Sequence, residues 1–142
     1  MCGFFGCLHT NTINFKNSDF ENISQTINHR GPDHSGYYYN KINNDHLKLS
    51  HKRLSIQDLS SKGNQPMIAN DSKSILIFNG EIYNHLNLRK KIPVLKNLNW
   101  KSSSDTETLL NFLMFADTKD VLTNIKGMFA FVFVDLLKKK II

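Results

Sequence analysis

The sequence predicts an α+β fold in which sheets and helices form separate layers. Strand-like segments come early, at residues 2–9, 35–39, 46–54 and 74–78, with a single helical segment among them. Helical patterns then occupy much of residues 84–113, and an apolar strand-like run follows at 128–134. Strands followed by helices and a further strand are typical of layered α+β proteins, whereas parallel α/β folds alternate the two regularly.

The first half of the chain contains three predicted strands and one helix. Residues 2–9 are apolar and contain glycine, which favours a buried opening strand. Asn17, Ser18 and Asp19 are candidates for the N-cap of a helix that runs to Ile27, because apolar residues then recur at helical spacing. The turn, the two strands and the loop that follow occupy residues 29–33, 35–39, 46–54 and 60–66.

The second half begins with an apolar strand at 74–78 that runs into Asn79-Gly80, a dipeptide typical of turns. A helix is predicted over 84–91, ended by Pro93. Ser104 or Asp105 can cap a further helix that continues to Leu113.

The continuous apolar run at 128–134 predicts a strand covered on both faces. Residues 135–140 resemble a hairpin tip, and Ile141 and Ile142 its return strand.

Composition excludes several classes of protein. The 142 residues suit one domain, 40% are apolar, and the 18 basic against 12 acidic residues give a net charge of +6. The lysines are scattered without an aromatic-interleaved run, so no nucleic-acid partner is expected. Two cysteines make no secreted disulfide framework, and no segment has the length of a membrane span. We therefore expect a cytoplasmic protein without a membrane partner, and the His and Cys spacing predicts no metal site.

A cysteine at position 2 has a specific chemical use. Removal of the initiator methionine would place a thiol and a free α-amine on one residue. Their reference pKa values are about 8.5 and about 8, so the amine can take the thiol proton near neutrality. The alternative is a small apolar residue in a strand, since free cysteines are commonly buried.

Seven short motifs, the first of which contains Cys2, occur in a fixed order along the chain. They are CGFFG at 2–6, HRGPDHSG at 29–36, RLSIQD at 53–58, GNQP at 63–66, NGEIYN at 79–84, SDTE at 104–107 and GMFAF at 127–131. This series resembles the class II glutamine amidotransferase domain, and specifically that of glutamine-hydrolysing asparagine synthetase. The Arg-Gly-Pro-Asp segment favours asparagine synthetase and its close sugar-modifying relatives. The resemblance implies an N-terminal-nucleophile fold, a four-layer αββα sandwich with two antiparallel sheets, C-terminally incomplete here.

The resemblance also implies roles for individual residues. Cys2 would attack the carboxamide of glutamine, and the Asn79 side chain and Gly80 N–H would form the oxyanion hole. Arg53 would bind the α-carboxylate of glutamine, for which a planar guanidinium is suited. Asp105 would receive the α-ammonium group. The remaining residues expected to bind glutamine are Glu81 and, through their backbone, Leu54, Ser55, Ile56 and Gln57.

Each assignment has a structural alternative. Asn79-Gly80 could be an ordinary hairpin turn, Arg53 a surface residue on an edge strand, and Asp105 a helix N-cap. Cys7 is expected in the core. Four further residues are expected to brace loops, namely His29, Arg30, Asp33 and His51.

The chain departs from the family in two respects. The family continues beyond residue 142 with further strands and an ATP-dependent synthetase domain, so residues 1–142 are expected to be the N-terminal portion of a glutaminase domain, in a truncated product or fragment. The resemblance implies no cofactor in this chain, ATP and Mg in the missing or separate synthetase domain, and a possible homodimer. The second departure is Ser103, where relatives usually carry glycine. A non-catalytic remnant, or an amidotransferase with another acceptor such as a sugar, remains an alternative.

Overall fold

The computed structural model describes residues 2–142 and has four layers. Helix α1 (Asn17–Gln25) covers the outer face of a first sheet, and a second sheet packs against the inner face. The remaining helices cover the far side of the second sheet. These are α2 (His85–Lys91), α3 (Pro93–Lys96), α4 (Asp105–Phe115) and α5 (Thr118–Asn124). Both sheets are antiparallel, as predicted.

The first sheet contains three strands in the order β1-β3-β2. These are β1 (Gly3–His9), β2 (His34–Ile42) and β3 (Asp45–Arg53). Strand β3 lies in the centre, and residues 47–53 are all buried. Its alternating residues therefore face two covered surfaces, with Leu47 and Leu49 towards the second sheet and Ser50 bonded to Ser24 of α1.

The second sheet contains four strands in the order β4-β5-β6-β7. These are β4 (Met67–Ile68), β5 (Ser74–Ile82), β6 (Gly127–Asp135) and β7 (Lys140–Ile141). The long pair β5 and β6 forms the body of this sheet, with Ser74 opposite Asp135 and Ile82 opposite Gly127. Residues of β5 bury both faces in turn: Ile75 and Ile77 face the first sheet, while Leu76 and Phe78 pack with the helices.

Two predictions of secondary structure are wrong. Asn79-Gly80 is not a turn, because β5 continues through it and pairs with β6 as far as Ile82. Helix α1 ends at Gln25 and is capped at its start by Lys16; a short 3₁₀ segment over Asn28–Arg30 follows. The end of α2 at Lys91, just before Pro93, agrees with the prediction. Pro93 also begins α3, since proline is tolerated in the first helical turn.

Strand β6 is covered on both faces only near its end. Phe133 and Val134 are buried, whereas Met128 is 72% exposed. Met128 lies opposite Glu81, on the face that also carries Asn79. The apolar run therefore identified the strand correctly but overstated its coverage. Within residues 2–142 no helix has the length and apolar character needed to cross a membrane.

Candidate active site

A cavity of about 180 Å³ opens where β3, β5 and the start of α4 approach one another. Side chains and backbone from six separated parts of the chain form its wall. They are Cys2, Arg53, Leu54, Ile56, Gln57, Asp58, Gly63, Gln65, Phe78, Asn79, Gly80, Glu81, Ser104, Asp105, Thr106 and Met128. Nearly every residue predicted to bind or attack glutamine therefore lines this one cavity.

The thiol of Cys2 lies against the backbone of Leu54. Its Sγ is 3.3 Å from the Leu54 nitrogen and 3.6 Å from the Leu54 oxygen. The Cys2 carbonyl accepts a hydrogen bond of 3.3 Å from Nε of Arg30. Cys2 comes immediately before β1, whose first residue, Gly3, pairs with Lys52 of the central strand β3. The sulfur is thus held at the end of a paired strand and is only partly buried.

Asn79 and Gly80 lie inside β5, opposite Ala130 and Phe129 of β6. Gly80 has a φ of +154°, a backbone conformation that L side chains rarely adopt. A Cβ placed there would lie 2.6 Å from Cα of Phe129 and closer still to the Met128 oxygen. Only glycine fits at this position, because β6 passes so close to the β5 backbone.

Arg53 is a buried residue of the central strand, so the edge-strand alternative is wrong. Its Nη1 donates to the Ser60 carbonyl at 2.7 Å and to Oδ1 of Asn64 at 2.8 Å, and Nη2 donates to the Asp58 carbonyl. These bonds fix the guanidinium against the loop over residues 58–64. They use three of its five N–H hydrogens.

Asp105 is the first residue of α4, and Ser104 is the N-cap, so the capping alternative for Asp105 is wrong. Its Oδ2 accepts a hydrogen bond of 2.8 Å from the Ile82 N–H. Burial raises the pKa of the Asp105 carboxyl above its ordinary value, and the nearby Glu81 carboxylate raises it further. Gln57 connects these two acids, since its Nε2 donates to Glu81 and its Oε1 accepts from the Asp105 N–H, both at 3.3 Å.

A buried network around Asp58 holds the two loops beside the cavity together. Its Oδ2 accepts from the Ser102 hydroxyl at 2.7 Å and from the Ser103 N–H at 3.1 Å. Its Oδ1 accepts from both the N–H and the hydroxyl of Ser60. These hydroxyl and amide donors hold the pKa of the Asp58 carboxyl well below its ordinary value. Ser103 is exposed and is not among the non-glycine residues of positive φ in the described chain, so a side chain is accommodated there.

Two further residues brace the strand that carries Asn79. Oε1 of Gln65 accepts a hydrogen bond of 2.6 Å from the Phe78 N–H. Nε2 of His51 lies 3.0 Å from the Phe78 oxygen, and the His51 side chain is fully buried between the sheets. Burial lowers the pKa of His51 to about 4. The imidazole is therefore neutral near neutrality and donates to the Phe78 carbonyl.

The structure separates Ser55 from the other predicted residues. Its backbone N–H donates to Oδ2 of Asp33 at 2.7 Å, and it does not line the cavity. Four further residues line the cavity although the sequence predicts no site role for them, namely Asp58, Gln65, Thr106 and Met128. All four lie within the motifs RLSIQD, GNQP, SDTE and GMFAF, so membership of a motif was the available signal. Cys7 lies on β1 and is only partly buried.

The family of the chain follows from comparison with known sequences. Residues 1–142 match a glutamine amidotransferase domain. The chain belongs to this family. It is 36% identical to glutamine-hydrolyzing asparagine synthetase 1 of Bacillus subtilis (strain 168), over 92% of this chain and 20% of that protein. It is 35% identical to asparagine synthetase B of Escherichia coli (strain K12), over 95% of this chain and 23% of that protein.

This amidotransferase domain thus spans about a quarter or less of these two relatives. The chain also covers a small part of a putative asparagine synthetase of Methanocaldococcus jannaschii, to which it is 35% identical over 99% of this chain and 28% of that protein. Among solved structures, a glutamine phosphoribosylpyrophosphate amidotransferase from B. subtilis superposes with a TM-score of 0.51 and 21% identity. That alignment covers 63% of this chain and 21% of the other. The likeness concerns the fold, and it supports the predicted layered sandwich.

Proposed function

We propose that this domain hydrolyses glutamine to glutamate and ammonia through a thioester on Cys2. The observation that carries the proposal is the single cavity shared by the Cys2 thiol, the Asn79-Gly80 segment, Arg53 and Asp105. A nucleophile, neutral hydrogen-bond donors and two oppositely charged groups are the parts needed for acyl transfer from a zwitterionic amino acid. In this proposal residues 1–142 form the N-terminal portion of a glutaminase domain.

The covalent step begins with proton transfer within Cys2. Once Met1 has been removed, the α-amine takes the thiol proton and the thiolate attacks the side-chain carbonyl carbon of glutamine. The tetrahedral intermediate then expels ammonia, which receives the proton held by the amine. Water attacks the resulting thioester, and glutamate leaves as the thiol is restored.

The developing oxyanion requires preorganised donors. The Asn79 side-chain amide and the Gly80 N–H are proposed for this role, and removal of one such donor costs about 3–4 kcal/mol in comparable sites. Both residues belong to a strand paired along its length with β6, and the Phe78 peptide that precedes them is held from two sides. Such bracing limits the reorganisation that the reaction would require.

The two charged groups on the α carbon of glutamine require complementary charges in the site. Two N–H hydrogens of Arg53, on Nε and Nη2, are not used by the loop and are proposed to bind the α-carboxylate. The Asp105 carboxylate, with Glu81 beside it, is proposed to bind the α-ammonium. Burial disfavours the charged form of Asp105, and an ammonium placed next to it would offset that cost. Leu54, Ile56 and Gln57 would complete the wall of the glutamine site.

Aspartate is the proposed acceptor of the ammonia, because the full-length relatives are named as asparagine synthetases. The synthetase reaction, with its ATP and magnesium, would take place outside residues 1–142. A homodimer and a cytoplasmic location belong to the same proposal. An acceptor other than aspartate is the alternative, and it would leave the glutaminase step unchanged.

The test is labelling by a diazoketone analogue of glutamine, read out by intact mass. We expect wild-type protein to lack Met1 and to gain one adduct at Cys2, with labelling blocked by excess glutamine. Cys2→Ser should gain no adduct, whereas Cys7→Ser, the matched control within β1, should label as wild type does. Folded protein that retains Met1, or that labels equally at both cysteines, would contradict the proposal and favour a non-catalytic remnant.

A further inference from the structure

A second and larger cavity lies on the outer face of the first sheet, at the opposite end of β1 from Cys2. Its volume is about 710 Å³, and its wall includes His9, Lys41 and His46. His46 of β3 is paired in register with His9 of β1 on one side and with Lys41 of β2 on the other. Residues directly opposite each other point to the same face of a sheet, so the three form one row across it.

Two more basic residues adjoin this row. Lys48 lies two residues further along β3 and thus on the same face, and Lys16 precedes α1; both line the cavity. The cavity wall contains no acidic residue among the residues that the structure describes. Two carboxylates of α1 contact residues of the wall without lining the cavity themselves, since Asp19 accepts from the Lys16 N–H and Glu21 accepts from the Tyr39 hydroxyl.

The basic groups are held in place. Lys48 is 4% exposed, its Nζ donates to the Phe15 carbonyl, and it lies 4.8 Å from the centre of the Phe15 ring. The rings of His9 and His46 stack with centroids 5.0 Å apart and planes 13° apart. Nδ1 of His9 is 3.1 Å from the Thr10 oxygen, while its Nε2 is buried without a hydrogen-bond partner in the described chain.

The row gathers several basic groups beside few acidic ones. Burial, Lys41, His9 and Lys48 lower the pKa of His46, while Asp45 acts weakly in the opposite sense. Like charges gathered around a partly covered face repel one another, and a bound anion would relieve that repulsion. A phosphate group presents several strong acceptor oxygens and up to two negative charges, which suits a set of lysine and imidazole donors.

We propose that this cavity binds the phosphate group of a small phosphorylated metabolite, with the His9–His46–Lys41 row as its principal contact. The rest of the cavity wall is lined mainly by asparagines and by two aromatic rings, which suits contact with the polar organic part of such a metabolite. These are Asn11, Asn14, Asn17, Asn40, Phe15 and Tyr39.

The proposed phosphate site is separate from the glutaminase site. Cys2 and His9 are separated by the length of β1, which is about 20 Å for a strand of this size. The proposal therefore does not rest on the proposed function. A phosphate-binding defect should leave diazoketone labelling of Cys2 intact, and loss of labelling should leave phosphate binding intact.

The experiment is an NMR titration of the full chain with inorganic pyrophosphate at constant ionic strength. We expect saturable one-to-one shifts of the His9, Lys41 and His46 amides. Lys41→Gln and His46→Gln should each weaken binding by about two- to fivefold, as for a partly exposed charge pair. Lys119→Gln on α5 removes the same charge from another exposed position and should bind as wild type does.

Three results would overturn the proposal. The first is the absence of saturable shifts in the row at millimolar pyrophosphate. The second is equal weakening by Lys41→Gln and Lys119→Gln, which would indicate attraction by net charge alone. The third is unchanged binding in a Lys41→Gln/His46→Gln double variant whose spectrum shows the native fold.

Discussion

Replacement of Gly80 by alanine would test how closely β5 and β6 must approach. The added Cβ would lie 2.6 Å from Cα and 2.8 Å from Cβ of Phe129, and nearer still to the Met128 oxygen. Non-bonded carbon atoms normally sit about 3.5–4.0 Å apart, so the strands must separate by roughly 1 Å. Both strands are paired on each side of this point, so the separation would disturb neighbouring hydrogen bonds.

The magnitude follows from two terms. Overpacking of a well-packed region costs about 1–3 kcal/mol. A non-glycine residue held at a φ of +154° adds about 1–3 kcal/mol of backbone strain. The free energy of unfolding should therefore fall by roughly 2–6 kcal/mol, against a total of about 5–15 kcal/mol for a typical domain. Because Gly80 is also a proposed oxyanion donor, a displacement of about 1 Å should slow glutamine hydrolysis roughly a hundredfold.

The matched control is Gly6→Ala in β1. There the added Cβ would meet only the tip of the Leu49 side chain, at 3.0 Å, and the Lys48 oxygen at 3.5 Å. Urea unfolding would measure stability, and the rate of diazoketone labelling would report on the site. We expect Gly6→Ala to change the free energy of unfolding far less than Gly80→Ala does. Equal losses in the two variants would refute the close-approach argument.

Two further predictions concern buried polar groups. The pKa of His51 is about 4 in the folded chain against 6.5 in an exposed histidine, so the unfolded chain binds the extra proton between these values. The contribution of the neutral His51 to stability is complete above pH 6.5, and it is lost as the pH falls to 4. The free energy of unfolding should therefore fall by about 3 kcal/mol over this range in wild type, and this part of the pH dependence should be absent in His51→Gln. Asp58→Asn should lower the free energy of unfolding by about 1–3 kcal/mol, because an amide cannot accept all the bonds that the carboxylate receives.

Urea unfolding at several pH values distinguishes His51 from the carboxylates, which titrate alike in wild type and variant. An identical pH dependence in His51→Gln would show that the imidazole is not the group responsible. For Asp58, the matched control is Asp120→Asn on the exposed surface of α5, which should leave stability nearly unchanged. Equal effects of the two asparagine substitutions would show that the network around Asp58 contributes little.

The sequence predicted most elements but not all of their limits. The strand over 128–134 was recognised from its apolar run, although Met128 at its start is largely exposed. Asn79-Gly80 by itself predicts a turn, because that dipeptide usually ends a strand. In the structure the same glycine is required within the strand, since β6 leaves no space for a side chain. A local sequence pattern shows which backbone conformations a segment can readily adopt. For Asn79-Gly80, the neighbouring strand β6 determined which of these conformations occurs in the fold.

The sequence by itself determined the α+β class, the order of the motifs and the resemblance to glutamine amidotransferases, because these depend on residue types and their spacing. Only the tertiary structure decided which residues meet. It placed Arg53 on a buried central strand, left Ser55 outside the cavity, and joined Asp58 to Ser102 across the chain. It also aligned His9 with His46 in one row. Such contacts depend on strand register and on which faces pack together, and residues distant in the chain determine both.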